Sequence, residues 1–98
     1  MDNGINTARH TFRDADQKRR LANRLSRIEG QIRGLRKMID EDAYCNDILV
    51  QSAAALSALK SFNRELLRSH MDHCVVRDIR EGREQVVDEL METLERLM

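Results

Sequence analysis

The sequence predicts an all-α fold with three helices per protomer, and three observations carry that prediction. The 98 residues include no proline and only four glycines, so the turns that a sandwich or barrel needs every eight to twelve positions are missing. Charged residues make up 35% of the chain, which suits long helices with solvated outer faces. Apolar residues recur at helical spacing through most of the length. The hydrophobic fraction of 41% is enough for a packed interface but thin for a self-contained globule. A chain of this size folded alone would bury only about two-thirds of its unfolded surface, so oligomerisation is expected.

Residues 1–14 are polar and aperiodic and read as a flexible tail; residues 15–98 read as one all-α domain. Leu21, Leu25, Ile28, Ile32, Leu35 and Ile39 follow at steps of 4, 3, 4, 3 and 4. That is one stripe on a helix starting near Asp14 or Asp16, either of which can cap it. Gly30 and Gly34 sit four apart inside this helix, where each costs about 1 kcal/mol relative to alanine. They mark either a close approach of another backbone or two tolerated surface positions.

Glu41, Asp42 and Ala43 break the pattern, and Asp42 is a good N-cap for a second helix. That helix carries Ile48, Leu49, Leu56, Leu59, Phe62, Leu66 and Leu67, with a small-residue centre of Ala53, Ala54, Ala55, Ser57, Ala58 and Ser61. Nothing interrupts it before Gly82. A third helix then runs from Glu84 to Met98 with Val87, Leu90, Met91, Leu94 and Leu97 inward.

The net charge of zero conceals an asymmetry. Residues 1–40 carry ten Lys/Arg against five Asp/Glu, residues 41–82 five against seven, and residues 83–98 two against five. Lys18, Arg19, Arg20, Arg24 and Arg27 lie along the first helix, mostly off its apolar stripe, with Arg33, Arg36 and Lys37 beyond them. Lys60, Arg64 and Arg68 continue the array on the second helix. Cations at fixed spacing are what phosphate binding needs, although a charge run is also what a solvated helix face looks like. No helix-turn-helix pattern is present, so a DNA reader here would work from a flat basic surface.

No apolar run approaches the roughly 20 residues of a membrane span, and Met1–Asp16 has no apolar segment of a signal peptide. A cytoplasmic location is expected, with Cys45 and Cys74 as thiols. Enzyme activity is not expected, because no nucleophile, base and orienting group occur together.

The candidate ligands are Cys45, His70, His73 and Cys74. His70 and Cys74 are four apart and share a helix face, whereas His73 points off it. If the second helix is continuous, Cys45 and Cys74 are separated by about 43 Å at 1.5 Å per residue, far beyond the roughly 7 Å of a disulfide pair. An antiparallel dimer about Leu59 would set Cys45 of one subunit beside His70 and Cys74 of the other, twice by symmetry, with the alanine-rich centre at the crossing. Two thiolates and one imidazole form a soft set of three that fits Cu(I) better than structural zinc. Two buried cysteines acting as small hydrophobes beside a surface histidine remain the alternative.

Three blocks, Arg24 to Gly34 (RLSRIEGQIRG), Asp42 to Leu49 (DAYCNDIL) and His70 to Cys74 (HMDHC), resemble the CsoR/RcnR/FrmR family of bacterial transcriptional repressors. The resemblance runs from about residue 17 to the C-terminus. It implies an all-α protein without a standard DNA-binding motif, an antiparallel dimer assembling into a dimer-of-dimers tetramer, and release from operator DNA when the inducer binds. Copper sensors of the family use Cys, His and Cys, which here are Cys45, His70 and Cys74, so the resemblance implies a Cu(I)-responsive repressor of copper efflux genes. A tyrosine and a glutamate behind the histidine link metal to conformation. Tyr44 matches the first, and Glu89 matches the second with the loop at Gly82–Glu84 one residue shorter than usual. Nickel and cobalt sensors carry histidine in place of Cys74, formaldehyde sensors lack the last cysteine, and persulfide sensors lack His70. His10 leaves a nickel-responsive variant open. The remaining alternatives are a persulfide-responsive repressor of the same family and a helical metal-binding protein with no DNA role.

Overall fold

A computed structural model describes Thr11 and residues 13–98. Residues 1–10 and Phe12, and with them His10 and most of the expected tail, lie outside the described residues. All regular structure among the described residues is helical.

Helix α1 spans Ala15–Asp40, and Asp14 caps it: its carboxylate accepts from the Gln17 amide at 2.7 Å. Asp16 sits in the first turn instead, where a negative charge favours the helix end. At the other end Asp42 does not cap the second helix as its residue type led us to expect. It takes a left-handed φ of 54° just beyond α1. The Asp42 and Ala43 amides donate back to the Ile39 and Met38 carbonyls at 3.2 and 2.9 Å. This is the double-bonded C-terminal cap usually built on glycine, which aspartate tolerates better than most residues. The N-cap of the second helix is Tyr44, whose side chain makes no capping bond.

Helix α2 covers Cys45–Ser69, a π-helical segment follows over His70–Val75, and helix α3 covers Val76–Arg80. Ser69, His70, Val75 and Val76 all keep right-handed helical dihedrals, so residues 45–80 form one continuous rod with a widened turn inside it. Gly82 stops the rod at φ 85°, with the Gly82 and Arg83 amides donating to Ile79 and Asp78 at 3.1 and 2.8 Å. Helix α4, Gln85–Leu97, then folds back.

Helices α1 and α2 lie side by side and antiparallel, tied by Arg24 of α1 to Glu65 of α2. A second small core joins α4 to the rod through Val75, Val86 and Leu90, with Leu67 and Leu94 against them. The inward face of α4 is therefore Val86, Leu90 and Leu94 rather than the expected Val87, Leu90, Met91, Leu94 and Leu97. Val87 and Met91 are exposed because α4 turns about one residue from the predicted orientation. The α1 stripe is likewise divided. Leu21 and Ile28 are buried against the chain's own fold, while Leu25, Ile32 and Ile39, spaced by seven, are 40%, 52% and 60% exposed. Leu49, Leu56 and Leu59 of α2 are also open. The glycines bring no backbone together within this chain: a Cβ at Gly34 would meet nothing within 4 Å, and one at Gly30 only an arginine tip.

Candidate metal site and basic groove

The three predicted ligands fall at two ends of one rod. Cys45 is the first residue of α2 and exposed, whereas Cys74 is buried in the π-helical segment, 5% exposed. By helix rise the two are about 40 Å apart. Among the described residues no three His, Cys, Asp or Glu side chains of one chain converge.

His70 and Cys74 open and nearly close the π segment. A π turn, bonded i to i+5, takes about 4.4 residues, so four steps come within roughly 30° of a full turn and hold the two side chains on one face. In α-helix the same pair is about 40° out of line. In either winding the two positions fall on the same side of the rod. The Cys74 thiol lies against the Thr11 hydroxyl at 3.6 Å, so the chain just before α1 covers it. His73 is exposed, with Nδ1 3.0 Å from the Ser69 carbonyl oxygen. Tyr44 is 73% exposed beside Cys45. Glu89 lies on α4, and its carbonyl accepts from the Thr93 hydroxyl at 3.1 Å.

The basic residues form a surface across α1 and α2. Arg24 Nε donates to Glu65 Oε1 at 3.0 Å, and Arg20 Nε lies 3.5 Å from Glu65 Oε2. Arg19 pairs with Asp16 at 3.0 Å. Lys18, Arg27, Lys60 and Arg64 are exposed. An open groove of about 480 Å³ runs between the helices, and Arg20, Arg24, Arg64, Arg68 and His73 line it together with Glu65 and Asp72. The structure therefore brings Arg20, Arg24 and Arg64 together. Lys18, Arg19, Arg27 and Lys60 lie outside the groove lining.

Two features escaped sequence reading. Asp78 is buried, and Arg83 beyond the Gly82 corner donates to its Oδ1 from Nη2 at 2.8 Å and from Nε at 3.3 Å; Arg77 reaches the same oxygen at 3.4 Å. Arg83 also pairs with Glu81. These bonds, the one from Arg83 foremost, hold the Asp78 carboxyl below its ordinary range. The second is the π segment, for which no residue pattern is a known sign.

The sequence profile of the metal-sensitive transcriptional repressors matches residues 17–96, nearly the whole described chain. The chain belongs to this family. Among the repressors it resembles is the copper-sensing transcriptional repressor RicR of Mycobacterium tuberculosis, 49% identical over 76 residues that cover 78% of this chain and 77% of that one. The copper-sensing repressor CsoR of Geobacillus thermodenitrificans, solved with Cu(I), superposes with a TM-score of 0.85 at 42% identity, covering 89% of this chain and 92% of its own. The nickel-responsive regulator InrS superposes with a TM-score of 0.69 at 41% identity over 91% and 98% of the two chains. As in the repressors it resembles, the fold is helical, and no helix among the described residues is long and apolar enough to cross a membrane.

Proposed function

We propose that this chain is a Cu(I)-responsive transcriptional repressor that binds operator DNA without metal and leaves it when Cu(I) binds, derepressing copper efflux genes. The observation that carries the reading is the split donor set. His70 and the buried Cys74 share a face of one widened turn, and the third donor, Cys45, is exposed at the far end of the same rod. A second copy laid antiparallel about Leu59 brings the partner's Cys45 to that turn. It also offers Leu49 and Leu56 to cover the apolar seam of Leu25, Ile32 and Ile39, which stays partly exposed among the described residues of the single chain. A buried thiol, a thiol at a helix start and one imidazole suit a soft, low-coordinate ion. Copper-sensing relatives at 42–49% identity support the same choice.

Within that dimer Cys45, His70 and Cys74 would hold Cu(I), which would supply a bond between subunits where the apo protein has none. The other His70 ring nitrogen would then bond Tyr44 or Glu89, fixing the ring and passing the ligation to the packing of α4. The phosphate-binding surface consists of Lys18, Arg19, Arg20, Arg24, Arg27, Lys60 and Arg64, which a dimer-of-dimers tetramer extends. Competition with a Cu(I) chelator tests the site: Cys45→Ala abolishes tight copper binding, while His70→Ala weakens operator release more than affinity, because two thiolates remain. The likeness to InrS gives a second reading, in which Ni(II) is the inducer. Operator release by Ni(II) and not by Cu(I) would select it.

A further inference from the structure

Helix α4 is attached to the rod in two chemically different ways. Its apolar face rests, through Val86 and Leu90, on Val75, the last residue of the π-helical segment. Its start is held by Arg83. The Arg83 amide donates to the Asp78 carbonyl at 2.8 Å, and its guanidinium donates to Asp78 Oδ1 from both Nη2 and Nε. The Arg83 carbonyl accepts from the Val86 amide at 3.3 Å. One residue thus closes the rod, grips a side chain of the rod and opens α4. Asp78 lies one helical turn beyond Cys74, outside the π-helical segment but on the same continuous rod.

The two attachments differ in what they can transmit. Apolar packing is non-directional, and so small a core leaves a 13-residue helix free to roll on the rod. A charged bond with two prongs fixes direction as well as distance. Asp78 is buried, and a paired carboxylate at that depth gains little over a well-packed apolar residue once desolvation is counted. What it adds is orientation. Arg77 reaches the same Asp78 oxygen from the rod, and Glu81 pairs with Arg83 from the loop, so the clasp is braced on both sides of the corner.

We infer that the Asp78–Arg83 clasp is the joint that makes α4 follow the rod when Cu(I) binds, with Asp78 and Arg83 as positioning residues for operator release. The inference rests on the Cu(I)-repressor reading above and deepens it. Both residues act through α4, which carries Glu89. With the clasp intact, a shift of Cys74 and Val75 on ligation carries the start and the apolar face of α4 together. With it broken, α4 slips on that face and the shift is lost before it reaches Glu89.

The test measures operator affinity of the full-length chain with and without saturating Cu(I), by fluorescence anisotropy under anaerobic conditions. The proteins are wild type, Asp78→Asn, Arg83→Gln, the double variant, Arg83→Lys, and Arg96→Gln as a charge control on α4. The release ratio is the operator Kd with Cu(I) divided by the Kd without it. Asp78→Asn and Arg83→Gln are each expected to lower this ratio by about fivefold or more, within the range of site-to-site coupling. Apo operator affinity, and the Cu(I) affinity of the free protein read against a chelator, are expected to stay at wild-type values. By linkage, Cu(I) then binds the operator-bound variants more tightly than operator-bound wild type by the same factor, which a loss of stability alone does not produce. The double variant is expected to fall no further than either single one, because one joint is removed once. Arg83→Lys keeps the charge but loses the fork, so its ratio stays low, while Arg96→Gln keeps the wild-type ratio.

The Arg83 side chain is 49% exposed, so Arg83→Gln leaves the core intact and carries the test if Asp78→Asn does not fold. Wild-type release ratios in the clasp variants would make the clasp a support of the fold alone and overturn the inference, with the repressor reading intact. An equal loss in Arg96→Gln would assign the effect to the charge of α4 and overturn it as well. A wild-type chain that binds operator and keeps it at saturating Cu(I) overturns the repressor reading and the inference with it.

Discussion

Cys45 and Cys74 stand at opposite ends of one helical rod, the first exposed and the second buried in the π-helical segment. A site using both must be shared between subunits, and complementation reads this out. Cys45→Ala and Cys74→Ala each lose tight Cu(I) binding alone. Mixed after subunit exchange, they are expected to recover about one site in four, since half the dimers are mixed and each mixed dimer holds one intact site of two. A mixture that binds no more copper than either variant would place the site within one chain.

Helix α4 is held on a small core of Val75, Val86 and Leu90, next in sequence to Cys74. Leu90→Ala leaves a cavity and is expected to cost about 2–4 kcal/mol. Denaturation followed by circular dichroism at fixed protein concentration measures this. The same variant should release operator less completely at saturating Cu(I), because α4 no longer reports on the ligand turn.

The corner before α4 predicts an acid response. The bond from Arg83 lowers the Asp78 pKa in the native state, with Arg77 adding to it and burial opposing. The unfolded chain therefore binds the proton more readily. The stabilisation is complete at neutral pH and is lost as pH falls from the ordinary value of 3.8 through the lowered native one. Asp78→Asn should melt a few degrees below wild type at pH 7, and the gap should narrow steadily as pH falls below 3.8. A gap that stays constant as the pH falls would assign Asp78 a role other than its charge.

Apolar periodicity made the three helices legible, and Gly82 made the last corner so. The first corner was misread because aspartate is both a good N-cap and one of the few residues that accepts a left-handed φ; which role Asp42 takes depends on the chain around it. The α1 stripe looked like one face because steps of three and four describe a band wide enough for two seams. Only packing separates Leu21 and Ile28 from Leu25 and Ile32. The type and spacing of Cys45, His70 and Cys74 suggested a soft donor set, whereas the π-helical winding of His70–Val75 has no residue pattern that announces it. Arg68 fell on the basic array, but the groove it lines with His73 and Glu65 exists only once α1 crosses α2.

The central claim is that Cu(I) binding at Cys45, His70 and Cys74 weakens the hold on DNA. Its most direct test is an anisotropy titration of the apo protein on labelled operator with Cu(I) under anaerobic conditions. The account predicts release that completes near one Cu(I) per chain and disappears in Cys45→Ala. Operator affinity that is unchanged at saturating Cu(I) would contradict it.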